Sequence, residues 1–139
     1  MAGPQALVIK KFWLDQIISG DKVWEIRSSN TKKRGRKYLA ESGSGLIVGE
    51  ATLVNSLAVG RIQGGKLVPF SPSKESKKNF IAHDDNMAKH RLTRKNLKEL
   101  TYSEIYAWVF QDAQRYDVAR PYIHNQGAVI WVNLHQGEW

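Results

Sequence analysis

Gly20-Asp21-Lys22-Val23-Trp24-Glu25-Ile26-Arg27 is the stretch whose reading decides the fold. Residues 22–28 alternate, with Trp24 and Ile26 on one side and Val23, Glu25 and Arg27 on the other. This is the period of a strand with Trp24 and Ile26 toward a core. On such a strand Glu25 and Arg27 face the same way, roughly 7 Å apart. Lys22 begins on the opposite parity, but at the strand entrance, just after Gly20-Asp21, alternation does not set its direction. A carboxylate between two cations is held ionised and oriented. It can accept a hydrogen bond from a base amino group while the cations meet a phosphate or carbonyl oxygen. The same pattern also fits a solvated sheet face with a salt bridge worth about 0–1 kcal/mol.

Working outward, Ala6-Leu7-Val8-Ile9 reads as a short buried strand. Phe12, Trp13, Ile17 and Ile18 have the spacing of one helix face over residues 11–19, and Gly20 suits its C-cap. Residues 28–37 form a loop by composition, Tyr38-Leu39-Ala40 resumes a strand, and residues 46–57 are a long β-like stretch. Gly64-Gly65 is a hairpin signal inside a turn-rich segment, 60–72. Residues 71–100 are a basic insert with helix caps at Ser73, at Asp84 or Asp85, and at Thr93. Residues 105–110 and 128–134 read as the closing strands, the second being the clearest in the chain. The order β-α-β-β-β, helical insert, β-β predicts one α+β domain over residues 1–139, with its core at roughly 5–134. Its sheet is expected to be mixed and barrel-like, with short helices around it.

The 139 residues carry a net charge of +8. Residues 1–40 hold nine Lys/Arg against three acids, and residues 61–100 hold ten against four. A basic field concentrated in two stretches attracts polyanions, nucleic acid first among them. The absence of cysteine excludes disulfides, thiolate nucleophiles, zinc knuckles and iron–sulfur clusters. The longest apolar runs are too short to cross a bilayer and the first residues lack a leader pattern, so a cytoplasmic protein without membrane association is expected.

Beyond the octapeptide, Lys32-Lys33-Arg34-Gly35-Arg36-Lys37 is a flexible run suited to phosphates. Trp24, Trp108 and Trp131 have the pattern of packing residues. Trp13, which follows Lys10-Lys11-Phe12, suits a ligand surface on which a base stacks, and Tyr38 and Tyr122 are further stacking candidates. The segment 120–127 is a polar loop whose His124 can act as acid or base near neutrality. His83, His90, His124 and His135 lack metal-site spacing. Neither a metal nor a cofactor is expected, and no phosphate-loop, nucleophile-elbow or Ser–His–Asp pattern is legible.

Gly20-x-Lys22-x-x-Glu25-x-Arg27 resembles the signature of the ASCH domains. Arg34-Gly35-Arg36 leading into Tyr38-Leu39-Ala40, Gly45-Leu46-Ile47-Val48-Gly49, and Gln126-Gly127-Ala128-Val129-Ile130-Trp131 extend the likeness over roughly residues 5–134. The resemblance implies a PUA-like β-barrel and a cleft floored by the signature strand. It also implies binding of RNA or DNA, or hydrolysis: a ribonuclease, or an amidohydrolase acting on acetylated cytidine. In the amidohydrolase branch a Lys at the position of Lys22 works with a Thr where this chain has Glu25, together with a downstream Glu. With that Thr missing, the Lys–Thr mechanism does not carry over. Glu50 and Glu104 are candidates for the second carboxylate.

The first expectation is therefore nucleic-acid binding, RNA before DNA, with a normal or modified nucleoside held by Lys22, Glu25 and Arg27. Lys11, Lys32, Lys33, Arg34 and Arg36 would meet phosphates, and Trp13, Tyr38, Tyr122 and His124 would line the ligand. The alternative is a metal-independent hydrolase with Lys22, Glu25, Tyr38 and His124 in catalytic roles. A third reading is a polyanion-sensing or protein-interaction domain.

Overall fold

The computed structural model describes residues 4–134. Its elements follow from short apolar runs separated by glycine turns. Strand β1 (Gln5–Ile9) buries Ala6, Leu7, Val8 and Ile9. Helix α1 (Lys11–Ser19) turns Leu14, Ile17 and Ile18 onto the same core, which also holds Leu39, Leu53, Trp108 and Phe110. The helix stops at Gly20, which adopts a φ of 87° and donates its N–H to the Ile17 carbonyl. A side chain there would be strained, which is why glycine opens the signature. The Lys22 N–H then bonds back to the Gln16 carbonyl, so the chain enters β2 (Trp24–Arg27) in a fixed direction.

The remaining strands are β3 (Gly35–Glu41), β4 (Leu46–Gln63), β5 (Lys66–Val68), β6 (Glu104–Pro121) and β7 (Trp131–Asn133). The sheet order is β2-β6-β4-β3-β1-β7, with β5 paired to β4 beyond that path. Only β1 and β3 run parallel; the other pairs are antiparallel. Between β4 and β6, each 18 residues long, the register shifts at four places. Such bulges raise local twist and bend a sheet. The curl brings the two ends of the sheet together through side chains. Trp108 of β6 stacks on Trp131 of β7 at 5.8 Å between ring centres, and Arg27 of β2 donates to the Val8 carbonyl of β1 at 3.0 Å. Among the described residues no backbone ladder joins β2 to β7. The α+β mixed sheet with short helices is as expected, but the pairings display a curled open path, not a closed barrel.

Helices α2 (Lys74–Lys78), α3 (Asp84–His90) and α4 (Arg94–Lys98) form the insert. Ser73 and Thr93 cap α2 and α4 as anticipated; α3 is capped by the His83 ring instead of Asp84 or Asp85. Ile81, Leu92 and Leu97 pack with Trp24, Ile26, Val59, Ile105 and Ala107 in a second core. Two backbone bonds fasten the insert, Ile81 N–H to Val59 and Val23 N–H to Lys89. Among the described residues no helix is long and apolar enough to cross a membrane.

The strands depart from the sequence reading at several points: β3 starts at Gly35 within the stretch read as a loop, and β4 runs on to Gln63 and pairs with β5 inside the segment read as turn-rich, around the Gly64-Gly65 hairpin. β6 continues through the polar stretch 111–121, because its ladder to the first half of β4 needs backbone groups, not apolar side chains. β7 is shorter than 128–134, since Val129 and Ile130 are exposed in the loop that precedes it.

The β4–β6 ladder is closest at Gly49, where a Cβ would collide with the Gln114 carbonyl oxygen. That obstacle is backbone and cannot rotate away. Gly49→Ala is expected to lower stability by about 1–3 kcal/mol in denaturant unfolding; an unchanged midpoint would show that the ladder yields freely.

Candidate functional site

The turn after Gly20 sends Lys22 inward, not out to solvent, and its side chain is 1% exposed. The ammonium donates to the His90 carbonyl at 2.6 Å, at the C-terminal end of α3. It lies 4.6 Å from the centre of the Trp13 ring and 3.8 Å from Glu25 Oε1. Glu25 is buried as well, and its Oε2 accepts from Arg27 Nε at 3.0 Å and Nη2 at 2.8 Å. Arg27 is half-buried, reaches on to the Val8 carbonyl and lies 5.5 Å over the Trp108 ring. The cluster is thus a buried network of two cations and one carboxylate. It is not the solvated salt bridge that the alternation also allowed.

These groups sit at one side of a cleft of about 410 Å³. Val8 lines it from β1, Trp13 from α1, and Lys10 from the junction between them. The insert and the segment after it supply Leu92, Asn96, Glu99, Leu100 and Tyr102 opposite, and Ser42 and Val129 stand at its rim. The cleft therefore exists because the insert is fastened over β2.

A sequence model of the ASCH domain matches residues 7–131. The chain belongs to the ASCH domain family. Solved structures of similar shape include an ASCH protein from Zymomonas mobilis, with 15% identity, coverage of 97% of this chain and 90% of that one, and a TM-score of 0.64. A substituted form of that protein gives 14%, 99%, 92% and 0.65. At this identity the likeness speaks to the fold. No curated protein sequence matches significantly.

Burial decides the electrostatics of the ASCH cleft. Desolvation pushes the Lys22 ammonium down to about 8, against the pull of Glu25 in the other direction; Arg27 adds to the lowering. The His90 imidazole is pushed down to about 4, again chiefly by burial. Its Nδ1 accepts from the Leu92 N–H at 2.9 Å, so Nε2 carries the proton and donates to the Ile81 carbonyl at 2.8 Å. His90 is a neutral structural ring that fixes the carbonyl on which Lys22 rests.

Other residues singled out from the sequence divide. Trp13 joins the cleft. Lys11 is exposed on α1 and pairs with Asp15, while its neighbour Lys10 lines the cleft. Lys32 and Lys33 line a different pocket, beside Trp108 and Trp131. Arg34 turns back onto the carbonyls of Thr31 and Lys33. Arg36 is engaged within the sheet by Glu50, Thr52 and the Asp112 carbonyl, so it is a strand-crossing tie more than a phosphate ligand. Tyr38 packs beside the Ala6–Val8–Ala40 cluster, and Tyr122 is buried in that cluster. His124 bonds to the Tyr122 hydroxyl and the Ala128 carbonyl, which occupies both ring nitrogens. None of Tyr38, Tyr122 and His124 lines the cleft.

The candidate second carboxylates are also placed elsewhere: Glu50 holds Arg36 and the Tyr116 hydroxyl, and Glu104 accepts from Tyr106. The second carboxylate lining the cleft is Glu99, the lone acid between Arg91 and Ser103. That isolation within a basic run was its one visible signal. His135 lies outside the described residues, within which no three His, Asp or Glu side chains gather to hold a metal ion.

The depressed Lys22 value has a consequence for stability. Below pH 8 the lysine is charged in both folded and unfolded chains, and burial costs the folded state about 3 kcal/mol. As pH rises from about 8 toward 10.5, the folded protein loses this proton first and the cost fades. Relative to Lys22→Met, the wild-type chain is therefore expected to gain stability between pH 8 and 10 in urea unfolding. Parallel pH profiles for the two would contradict the burial of a charged Lys22.

Proposed function

We propose that this ASCH domain binds single-stranded nucleic acid, RNA in preference to DNA, and seats one nucleotide of normal or modified base in the cleft. The carrying observation is the buried Lys22–Glu25–Arg27 network at the cleft wall. Buried charges are costly, and a network of net charge +1 is better satisfied when an anionic or carbonyl-bearing ligand approaches it. Glu25 Oε2 is taken up by Arg27, while Oε1 lies 3.8 Å from Lys22, beyond hydrogen-bond distance. Oε1 is thus suited to accept from an exocyclic amino group, and Lys22 and Arg27 to meet a carbonyl or phosphate oxygen. Trp13 offers an aromatic wall, and Asn96 and Glu99 add polar groups on the opposite side. A volume of about 410 Å³ lies in the range of small-ligand sites and suits a single nucleotide rather than a duplex. Single-stranded RNA presents such unstacked nucleotides.

One observation favours a second reading, hydrolysis of RNA or of an acylated nucleoside. A lysine held at about 8 can exchange a proton near neutral pH, and Glu25 is close enough to share in activating water. Tyr38 and His124 do not line the cleft, so this reading is carried by Lys22 and Glu25 alone. Product release from acetylated cytidine, or RNA cleavage in chelator, by highly purified wild-type protein but not by Lys22→Ala would establish it.

For the binding reading, anisotropy with a labelled ribo-hexanucleotide is expected to give micromolar or tighter affinity at low salt. Affinity should fall about tenfold or more from 50 to 200 mM salt, as several neutralised phosphates require. Trp13→Ala should weaken it by about 1–3 kcal/mol through lost stacking, with the fold retained. No binding at low salt would refute the proposal.

A further inference from the structure

A second pocket, of about 380 Å³, lies between the 29–33 loop and the end of the sheet, lined by Asn30, Thr31, Lys32, Lys33, Trp108 and Trp131 among others. Its walls are of two kinds. One is aromatic: Trp131 is half-buried and stacked against the fully buried Trp108. The other is cationic. Lys32 and Lys33 line the pocket from the loop, and Lys33 and, from β3, Lys37 place their ammonium groups 5.4 and 5.7 Å from the Trp131 ring centre. Among the described residues no carboxylate lines it. Burial first, and the charge of Lys33 second, push the Lys37 ammonium down.

The loop is preshaped. Trp108 donates its indole N–H to the Ser29 carbonyl, Asn30 accepts from the Thr31 N–H, and Thr31 accepts from the Lys33 N–H. The second pocket is also next to the cleft. Arg27 lines the cleft and lies over Trp108, which lines the second pocket, and the adjacent residues Val129 and Ile130 each line one of the two.

An aromatic face flanked by lysines matches a base with its phosphate. We propose that this pocket is a second nucleotide subsite, where Trp131 carries the base and Lys32 and Lys33 carry the phosphate of the residue adjoining the one in the cleft. The ligand is then an extended single strand, not a free nucleoside, and Arg27 stands at the step between its two positions. This inference rests on the cleft being the first nucleotide seat.

The test separates the two claims. Binding of a labelled ribo-hexanucleotide, of the same-length strand with abasic sugars, and of the four nucleoside monophosphates by displacement is measured for four proteins. They are the wild type, Lys32→Ala/Lys33→Ala, Trp131→Phe, which retains an aromatic ring for packing, and a charge control, Lys77→Ala/Lys78→Ala, on the exposed face of α2. The proposal expects hexanucleotide affinity to fall about tenfold in the 32/33 variant and severalfold in Trp131→Phe. The charge control should change little, monophosphate binding should persist throughout, and the abasic strand should bind the wild type more weakly than the hexanucleotide. Equal losses in the two double variants or unchanged affinity in the 32/33 variant would overturn the second subsite and leave the cleft reading intact, whereas abasic and normal strands binding alike would overturn both. A wild-type protein that binds neither monophosphate nor hexanucleotide overturns both.

Discussion

The contact on which the site depends is the one between the Lys22 ammonium and the His90 carbonyl. It is a charged hydrogen bond almost wholly buried at the cleft wall, and it crosses from the entrance of β2 to the last residue of α3. The neighbouring backbone bond from Val23 to Lys89 runs the same way. Together they hold the helical insert over the signature strand, and the space left between insert and sheet is the cleft. His90 serves by being neutral: with both ring nitrogens engaged and charging disfavoured by burial, it adds no second positive charge beside Lys22.

Placing an ammonium there is expensive, and the surrounding residues moderate the cost without removing it. Glu25 pulls the Lys22 value up, yet desolvation and Arg27 outweigh it. Glu25 is in turn shared with Arg27, whose remaining reach ties β2 to β1 at Val8. One set of charges thus joins the curled sheet across its ends and polarises the cleft. A network concerned with stability alone would be as well served by apolar side chains of similar volume. Its position at the wall of a cavity is what supports the ligand-binding proposal.

The legible and illegible parts of the chain separate on physical grounds. The octapeptide was legible because two local devices, a left-handed glycine cap and strand alternation, act within eight residues. Trp24 and Ile26 do face a core. The helix caps at Ser73 and Thr93 were legible for the same reason, since capping is a matter of nearest neighbours. The burial of Lys22 and Glu25 was not, because it depends on the insert some seventy residues away. The second half of β6 hid behind polar side chains, and the exposed Val129 and Ile130 imitated a strand that starts later. Arg36, Tyr122 and His124 look like ligand-reading residues by type, but Glu50, the apolar cluster around Ala6 and the Ala128 carbonyl claim them first. Glu99 enters the cleft from a segment whose composition says only that it is basic. ASCH membership was visible in the signature and is shown by the family match across residues 7–131.

The most direct measurement of the central claim is a backbone and side-chain amide NMR titration of the full chain with unlabelled single-stranded hexaribonucleotide at low salt. The account predicts shifts concentrated on residues 22–27, the Trp13 indole, and Asn96 to Tyr102, with saturation at one strand per protein. Shifts scattered over the exposed lysines of α2 and α4, with residues 22–27 silent, would contradict a nucleotide seated on the buried Lys22–Glu25–Arg27 network.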